Sequence, residues 1–281
     1  MSIRFKKLGV VLAAAGVGLV LTLAGCTDDK KADTKAAAEK APEAVTLVVG
    51  ASPVPHTDIL KQIQPDLAKE GVNLKILEFT DYVKPNIALQ DKELDANFFQ
   101  HVPYLEEFCQ TRGCKLKSLV AVHLEPMGVY SQKVKNLADL KDGAVIAIPN
   151  DPTNGGRALK VLESQGLLKL KPDAGVLATS RDIVDNPKHF QIKELEAAQL
   201  PRVLGDVDAA VINSNYAIGA KLNPVKDALA LESKDSPYAN IVAVRQDDNR
   251  PALQKLKAAI TSAKVKAYIE NTYQGAVLPA F

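Results

Sequence analysis

Arg157 closes the stretch "IPNDPTNGGR" (148–157), where an apolar run of strand type gives way to a helix. Free backbone N–H groups point out of a helix's first turn, and the helix dipole favours an anion there. A guanidinium adds a planar fork matched to a carboxylate. The stretch lacks the Gly-Lys-Ser/Thr of a phosphate loop, and its glycines do not have dinucleotide spacing. The competing reading is an ordinary ion pair between Arg157 and Asp151 or Asp182. Asn154 precedes the glycines of the same turn. Asn213 and Asn215 follow the apolar run "AAVI", and if the strand continues through them both point to one face. Amides there could donate and accept at once, as an amino-acid zwitterion requires; the alternative is a helix cap. "DANFFQH" supplies Phe98, Phe99 and His101; the two phenylalanines point opposite ways on a strand, so one of them belongs to the core, and Tyr82 follows another strand end in "FTDYVKPN".

Chemistry beyond binding finds no foothold in the sequence. There is no Gly-x-Ser-x-Gly elbow and no His-Glu-x-x-His. The four histidines (56, 101, 123 and 189) are widely spaced. The expectation is a protein without catalytic activity, metal or cofactor, with a zinc-binding protein and an exported hydrolase as the alternatives from other classes.

The elements that must position these side chains alternate. Strands are expected at 44–51, 72–79, 93–99, 143–149, 206–217 and 239–245, and in "KSLVAV" and "PMGVYS". Helices are expected at 57–70, from Pro103 onward, at 152–165 and at 251–270. This order predicts an α/β protein with mostly parallel sheets. Two crossings divide it into two lobes: 44–125, then 126–227, then a return segment 228–281 that rejoins the first. Ligands of open α/β sheets bind at the carboxyl ends of strands. "ASPVPH", "NFFQH", "PNDPTNGGR" and "NSNY" all fall at such ends, which places one site between the lobes.

Residues 1–25 read as an export signal: Arg4, Lys6 and Lys7, an apolar run over 8–24, then small residues before Cys26. "LAGC" resembles the lipobox of bacterial lipoproteins, which makes Cys26 the lipidated residue and 26–43 a disordered tether to the bilayer. Without residues 1–25 the chain has 32 basic and 33 acidic side chains, a net charge of −1, which argues against a nucleic-acid partner. Cys109 and Cys114 could form a disulfide if Gly113 folds the chain back. An unbroken helix would hold them roughly 7.5 Å apart along its axis.

Eight blocks in order, from "VVGASPVPHTDIL", "FTDYVKPNIAL" and "DANFFQHVPYL" through "PMGVYS", "IPNDPTNGGRAL", "LEAAQLPR" and "VINSNYA" to "SPYANIVAVR", resemble the NlpA/MetQ-type methionine-binding lipoproteins of ABC importers. The resemblance implies a two-lobed periplasmic-binding-protein fold that closes on L-methionine. It implies delivery to an ABC permease and its ATPase subunit, from a lipid anchor on the periplasmic face of a bacterial membrane. It makes Arg157 the holder of the α-carboxylate. Asn154 and Asn213 would fix the backbone polar groups, and Tyr82, Phe99, His101 and His123 would wall the side chain. D-methionine, another small amino acid and a methionine-containing dipeptide are the alternative ligands.

Overall fold

The computed structural model describes residues 44–281; the export signal, Cys26 and the tether lie outside them. The first lobe opens with β1 (Val45–Ala51), α1 (Asp58–Lys69), β2 (Val72–Glu78), α2 (Lys84–Gln90), β3 (Ala96–His101), α3 (Val102–Arg112) and β4 (Leu116–Leu124). The second contains β5 (Gly128–Tyr130), β6 (Val145–Pro149), α4 (Pro152–Ser164), β7 (Lys169–Leu170), β8 (Ile183–Asp185), β9 (Gln191–Leu195), β10 (Ala209–Ile212), α5 (Ser214–Gly219), α6 (Pro224–Asp227) and β11 (Ala230–Leu231). The return segment adds β12 (Asn240–Arg245), α7 (Pro251–Ile260), α8 (Ala263–Tyr273) and β13 (Leu278–Pro279).

Local pattern explains the leading elements. Ile59, Leu60, Ile63 and Leu67 recur at helical spacing and bury one face of α1. Gly71, at φ +76°, supplies the left-handed turn into β2. All six residues of β3 are buried because it lies between β1 and β12 in a six-stranded sheet ordered β13-β4-β12-β3-β1-β2. Its pleat sends Phe98 into the main core of this lobe, while Phe99 joins a separate aromatic cluster with Tyr104 and Phe108. The second sheet is ordered β11-β5-β10-β6-β9, and α4 packs on it through Leu159 and Leu162. A Cβ on Gly156 would strike the backbone at Val176 and Ala178. That close approach sets the first turn of α4 against its surroundings.

Three expectations change here. The sheets are mixed rather than mostly parallel. The pairs β1–β2, β1–β3, β6–β10 and β6–β9 are parallel, whereas β4, β5, β11, β12 and β13 pair antiparallel. A parallel neighbour needs a crossover connection; strands that flank the crossings between lobes run back the other way. The return begins after Leu231, not at 228, because β11 pairs with β5 and the Leu229 N–H bonds to the Val129 carbonyl. The strand expected through 217 stops at Ile212, and α5 begins at Ser214.

Cys109 and Cys114 are joined as a disulfide with Cα atoms 4.4 Å apart. The unbroken helix does not occur: α3 ends at Arg112 and Gly113 turns at φ +69°. Cys114 packs against the aromatic cluster of Phe99, Tyr104 and Phe108, so the bridge ties down the far end of the helix behind that wall. A loop this short contributes about 2 kcal/mol through the unfolded chain. A reductant, or paired Cys109→Ser and Cys114→Ser substitutions, should therefore lower the urea midpoint. An unchanged midpoint would show the bridge to be idle.

Candidate functional site

A narrow cleft lies where the two sheets meet. The carboxyl ends of parallel strands supply much of it. β3 delivers Phe99 and His101; β6 leads into Asn154 and Arg157 on α4; β10 leads into Asn213, Ser214 and Asn215. Tyr82 and Tyr104 complete the aromatic side. Ring centroids separate Tyr82 from Phe99 by 5.9 Å and Phe99 from Tyr104 by 5.9 Å, and the Tyr104 hydroxyl donates to the Tyr82 carbonyl at 2.8 Å.

Seven of the eight side chains singled out from sequence line this space: Arg157, Asn213, Asn154, Tyr82, Phe99, His101 and Asn215. His123 stands behind it. The register sets His101, Asn240 and His123 in a row across β3, β12 and β4, and Asn240 reaches the cleft wall while His123 does not. Sequence reasoning passed over Glu125, Tyr104, Gln100, Ser214 and Asn240, which also line it. Tyr104 had a readable signal, since it follows His101 by three residues at a helix start. Glu125 had none beyond its place in "HLEP".

Arg157 pairs with neither Asp151 nor Asp182. Its Nε donates to Glu232 Oε1 at 2.9 Å and its Nη2 to Glu232 Oε2 at 2.5 Å. Nη2 also donates to the Glu125 carbonyl at 2.8 Å, and the Tyr238 ring lies 4.5 Å from the guanidinium carbon. Nη1 makes no hydrogen bond among the described residues. The fork is thus clamped from behind by the second crossing between lobes, leaving one N–H edge for the cleft. Asp151 instead caps α4, accepting from the Asn154 backbone N–H at 2.9 Å, and Asp182 bonds Thr179 and Lys171.

Asn213 and Asn215 do not share a strand face. Asn213 precedes α5 without a side-chain cap and Asn215 lies in its first turn. Asn213 Nδ2 donates to Asn154 Oδ1 at 2.8 Å, and its own Oδ1 is buried with no partner among the described residues. Asn215 Oδ1 accepts from the Tyr82 hydroxyl at 2.6 Å, and the Tyr216 hydroxyl donates to the Thr80 carbonyl at 3.1 Å. These two bonds join the lobes across the cleft mouth, with the Tyr82 and Tyr216 rings 4.9 Å apart.

His56 and His123 are separated in sequence but not in space. His123 Nε2 lies 2.7 Å and His56 Nε2 3.4 Å from Glu125 Oε1, and His56 Nε2 lies 3.0 Å from Asn240 Oδ1. His56, His123 and Glu125 could in principle grip a metal ion. The far sides of the rings argue otherwise: among the described residues both Nδ1 atoms are buried without a partner, whereas a metal on Nε2 needs an acceptor for Nδ1–H. Neutral rings protonated at Nε2 and donating to Glu125 leave only bare Nδ1 lone pairs unmatched.

Burial lowers the pKa of His56 to about 4 and those of His101 and His123 to about 3. Arg157 pushes His101 further the same way, while Glu125 partly offsets the shift at His56. Burial also raises Glu125 and Asp151 above the usual carboxylate range. Unfolded imidazoles take a proton near pH 6.5, so below that value the unfolded chain binds more protons. Stability should fall as the pH drops from about 6.5 toward 4, by up to about 1.4 kcal/mol per pH unit for each ring. The two raised carboxylates act oppositely, since the folded chain takes up their protons first, and they offset part of the loss. The melting temperature should drop by several degrees between pH 6.5 and 4.5; a flat profile would mean that these rings are already charged when folded or that Glu125 and Asp151 cancel their effect.

Comparison with known proteins follows the same lines. Residues 47–281 match the family model of the NlpA lipoprotein. A probable D-methionine-binding lipoprotein MetQ of Pasteurella multocida is 42% identical over 97% of this chain and 99% of its own. The methionine-binding lipoprotein MetQ of Bacillus subtilis is 46% identical over 83% of this chain and 87% of its own. Among solved structures, a nutrient-binding protein from Burkholderia cenocepacia bound to methionine is 50% identical. It superposes with a TM-score of 0.82 and covers 84% of this chain and 100% of its own. With the match spanning residues 47–281 and a relative 42% identical over nearly the whole chain, the protein belongs to the NlpA lipoprotein family.

Proposed function

We propose that this chain is the substrate-binding lipoprotein of an ABC importer, capturing L-methionine between its lobes and passing it to the permease and its ATPase subunit. The observation that carries this reading is the pairing of opposite polarities in one small cleft. The unengaged Nη1 edge of Arg157 suits an α-carboxylate. The unpartnered Oδ1 of Asn213, with the Glu125 carboxylate nearby in the same lining, suits an α-ammonium. Tyr82, Phe99 and Tyr104 form the apolar side, where a thioether gains about 0.3–1.5 kcal/mol from contact with aromatic rings. The relatives are named for binding methionine or D-methionine, which supports methionine without choosing the stereoisomer.

Hydrogen bonds across the cleft mouth fit a hinge-closing binder. Acylation of Cys26 would hold the protein to the periplasmic face of the membrane and leave the two lobes free to meet the permease. No residue of the cleft needs to act as a nucleophile in this role.

The test is a thermal-shift and calorimetric panel on protein first unfolded and refolded to strip bound small molecules. The panel holds the common amino acids, D-methionine and methionine-containing dipeptides. L-Methionine should raise the melting temperature and bind one to one at micromolar affinity or tighter, about 8 kcal/mol. A shift with another compound and none with methionine would overturn the ligand; consumption of the ligand would overturn the binding role.

A further inference from the structure

We infer that Asp151 is a positioning residue that sets the polarity of the cleft, making it select ligands with a free ammonium group. The inference rests on the reading of the cleft as an amino-acid site and names the residue that dictates one half of that recognition. Amide side chains carry a donor and an acceptor on nearly identical arms, so something must decide which arm faces the ligand. Here the decision runs through a chain of contacts that starts at the half-buried carboxylate of Asp151 and ends at a buried amide.

Both oxygens of Asp151 accept from Asn154 Nδ2, at 2.9 and 3.1 Å. A carboxylate offers no donor, so the Asn154 amide has one orientation, with Oδ1 turned toward the cleft. That oxygen receives two N–H groups. One comes from His101 Nε2 at 3.3 Å. Its tautomer is fixed because His101 Nδ1 accepts from the Tyr104 backbone N–H at 3.1 Å, leaving the single proton of a neutral ring on Nε2. The other comes from Asn213 Nδ2 at 2.8 Å. With its amino arm committed, Asn213 must present Oδ1 elsewhere, and this is the buried acceptor without a partner. The amide of Asn213 is 6% exposed and lines the cleft.

Reversing any link reverses the rest. An amide at position 151 keeps one accepting oxygen for the helix cap but sets its NH₂ arm where Oδ2 stood, 3.1 Å from Asn154 Nδ2, donor against donor. Turning Asn154 over relieves that contact but sets its NH₂ against His101 Nε2–H and Asn213 Nδ2. Asn213 then turns in its own place, and the cleft shows an N–H donor where it had an acceptor. A donor there repels an ammonium and tolerates its absence. A buried polar group left facing its own kind is a strong discriminator, even with Glu125 remaining beside the ammonium.

The experiment compares two probes by calorimetry: L-methionine, and the same thioether carboxylic acid lacking the amino group. The wild-type protein should prefer methionine by at least about 100-fold. In Asp151→Asn, which keeps a capping oxygen for α4, the preference should shrink at least about tenfold, chiefly through weaker methionine binding. Adding Asn213→Asp to that variant restores an acceptor toward the cleft and one toward the turned Asn154, so the preference should return to within about threefold of wild type. Should Asp151→Asn fail to fold, Asp151→Ser keeps the helix cap but not the twin acceptors, and the preference should again shrink. An unchanged preference in a folded Asp151 variant, or a loss that Asn213→Asp does not repair, would overturn the inference. Wild-type protein that binds neither probe would instead overturn the assignment of the site.

Discussion

Arg157→Ala should weaken methionine binding by at least 30-fold, equivalent to about 2 kcal/mol for a lost charge-assisted contact, and should destabilise the free protein as well. The second effect follows from what holds the guanidinium. Glu232 takes two of its N–H groups and the Glu125 carbonyl a third contact, with the pair 3% and 10% exposed. Removing one partner of a buried ion pair costs about 3–5 kcal/mol, because the other charge is left without compensation. Arg157→Lys keeps the charge but not the fork, so it cannot hold Glu232 through two bonds and still present an edge to the cleft. Calorimetry and denaturant unfolding on the two variants separate ligand affinity from stability. Affinity within threefold of wild type in a folded Arg157→Ala variant would remove the carboxylate from this position.

Tyr82 is expected to give the next largest effect, in two steps. Tyr82→Phe removes the hydroxyl bond to Asn215 Oδ1 and should weaken binding about fivefold, near 1 kcal/mol for one hydrogen bond. Tyr82→Ala also removes the ring that meets Phe99, Tyr104 and Tyr216, so the loss should reach at least 30-fold, about 2 kcal/mol or more. The size of each step tells latch from wall. Small-angle scattering with and without methionine gives the matching structural readout: the closed form should dominate with ligand in wild type and less so in Tyr82→Phe. Equal losses in the two variants would mean that the ring contributes nothing beyond the latch.

The elements whose signal is local were legible in the sequence. The β-branched run of β1, the apolar periodicity of α1, and Pro152 with its preceding Asp151 at the start of α4 are written into adjacent residues. So is the opposed aim of Phe98 and Phe99, since a strand's pleat sends neighbours to opposite faces, although which ring joins the core was settled only by the fold. What was not legible depends on contacts made at long range. The partner of Arg157 is Glu232, 75 residues away across a lobe crossing, and the nearer acids were the only ones adjacency could offer. Asn213 and Asn215 looked like one face of a strand because the six-residue helix after Ile212 is too short to show a period. The helix expected over 251–270 breaks at Ser262, which caps α8 through the Val265 N–H. Histidines 56 and 123 were dismissed as distant, yet Phe98 and Glu125 bring them within 4.8 Å of each other, centroid to centroid.

The cleft also explains why so many polar groups are buried in one place. Asn86, Asn97 and Gln100 bond one another beneath the aromatic wall at 2.7–2.9 Å, and His56, His123 and Asn240 do the same around Glu125. Buried amides and imidazoles are tolerated when each donor is matched. Such a bed holds Phe99, His101 and Glu125 in fixed positions before ligand arrives, which reduces the ordering that binding must supply.

A crystal structure of the stripped protein grown with saturating L-methionine tests the central claim most directly. The ligand's carboxylate should lie within hydrogen-bonding distance of Arg157 Nη1, its nitrogen beside Asn213 Oδ1 and Glu125, and its sulfur against Tyr82, Phe99 or Tyr104. Electron density that left this cleft without methionine, or that turned the amino acid end for end so that its nitrogen faced the guanidinium, would contradict it.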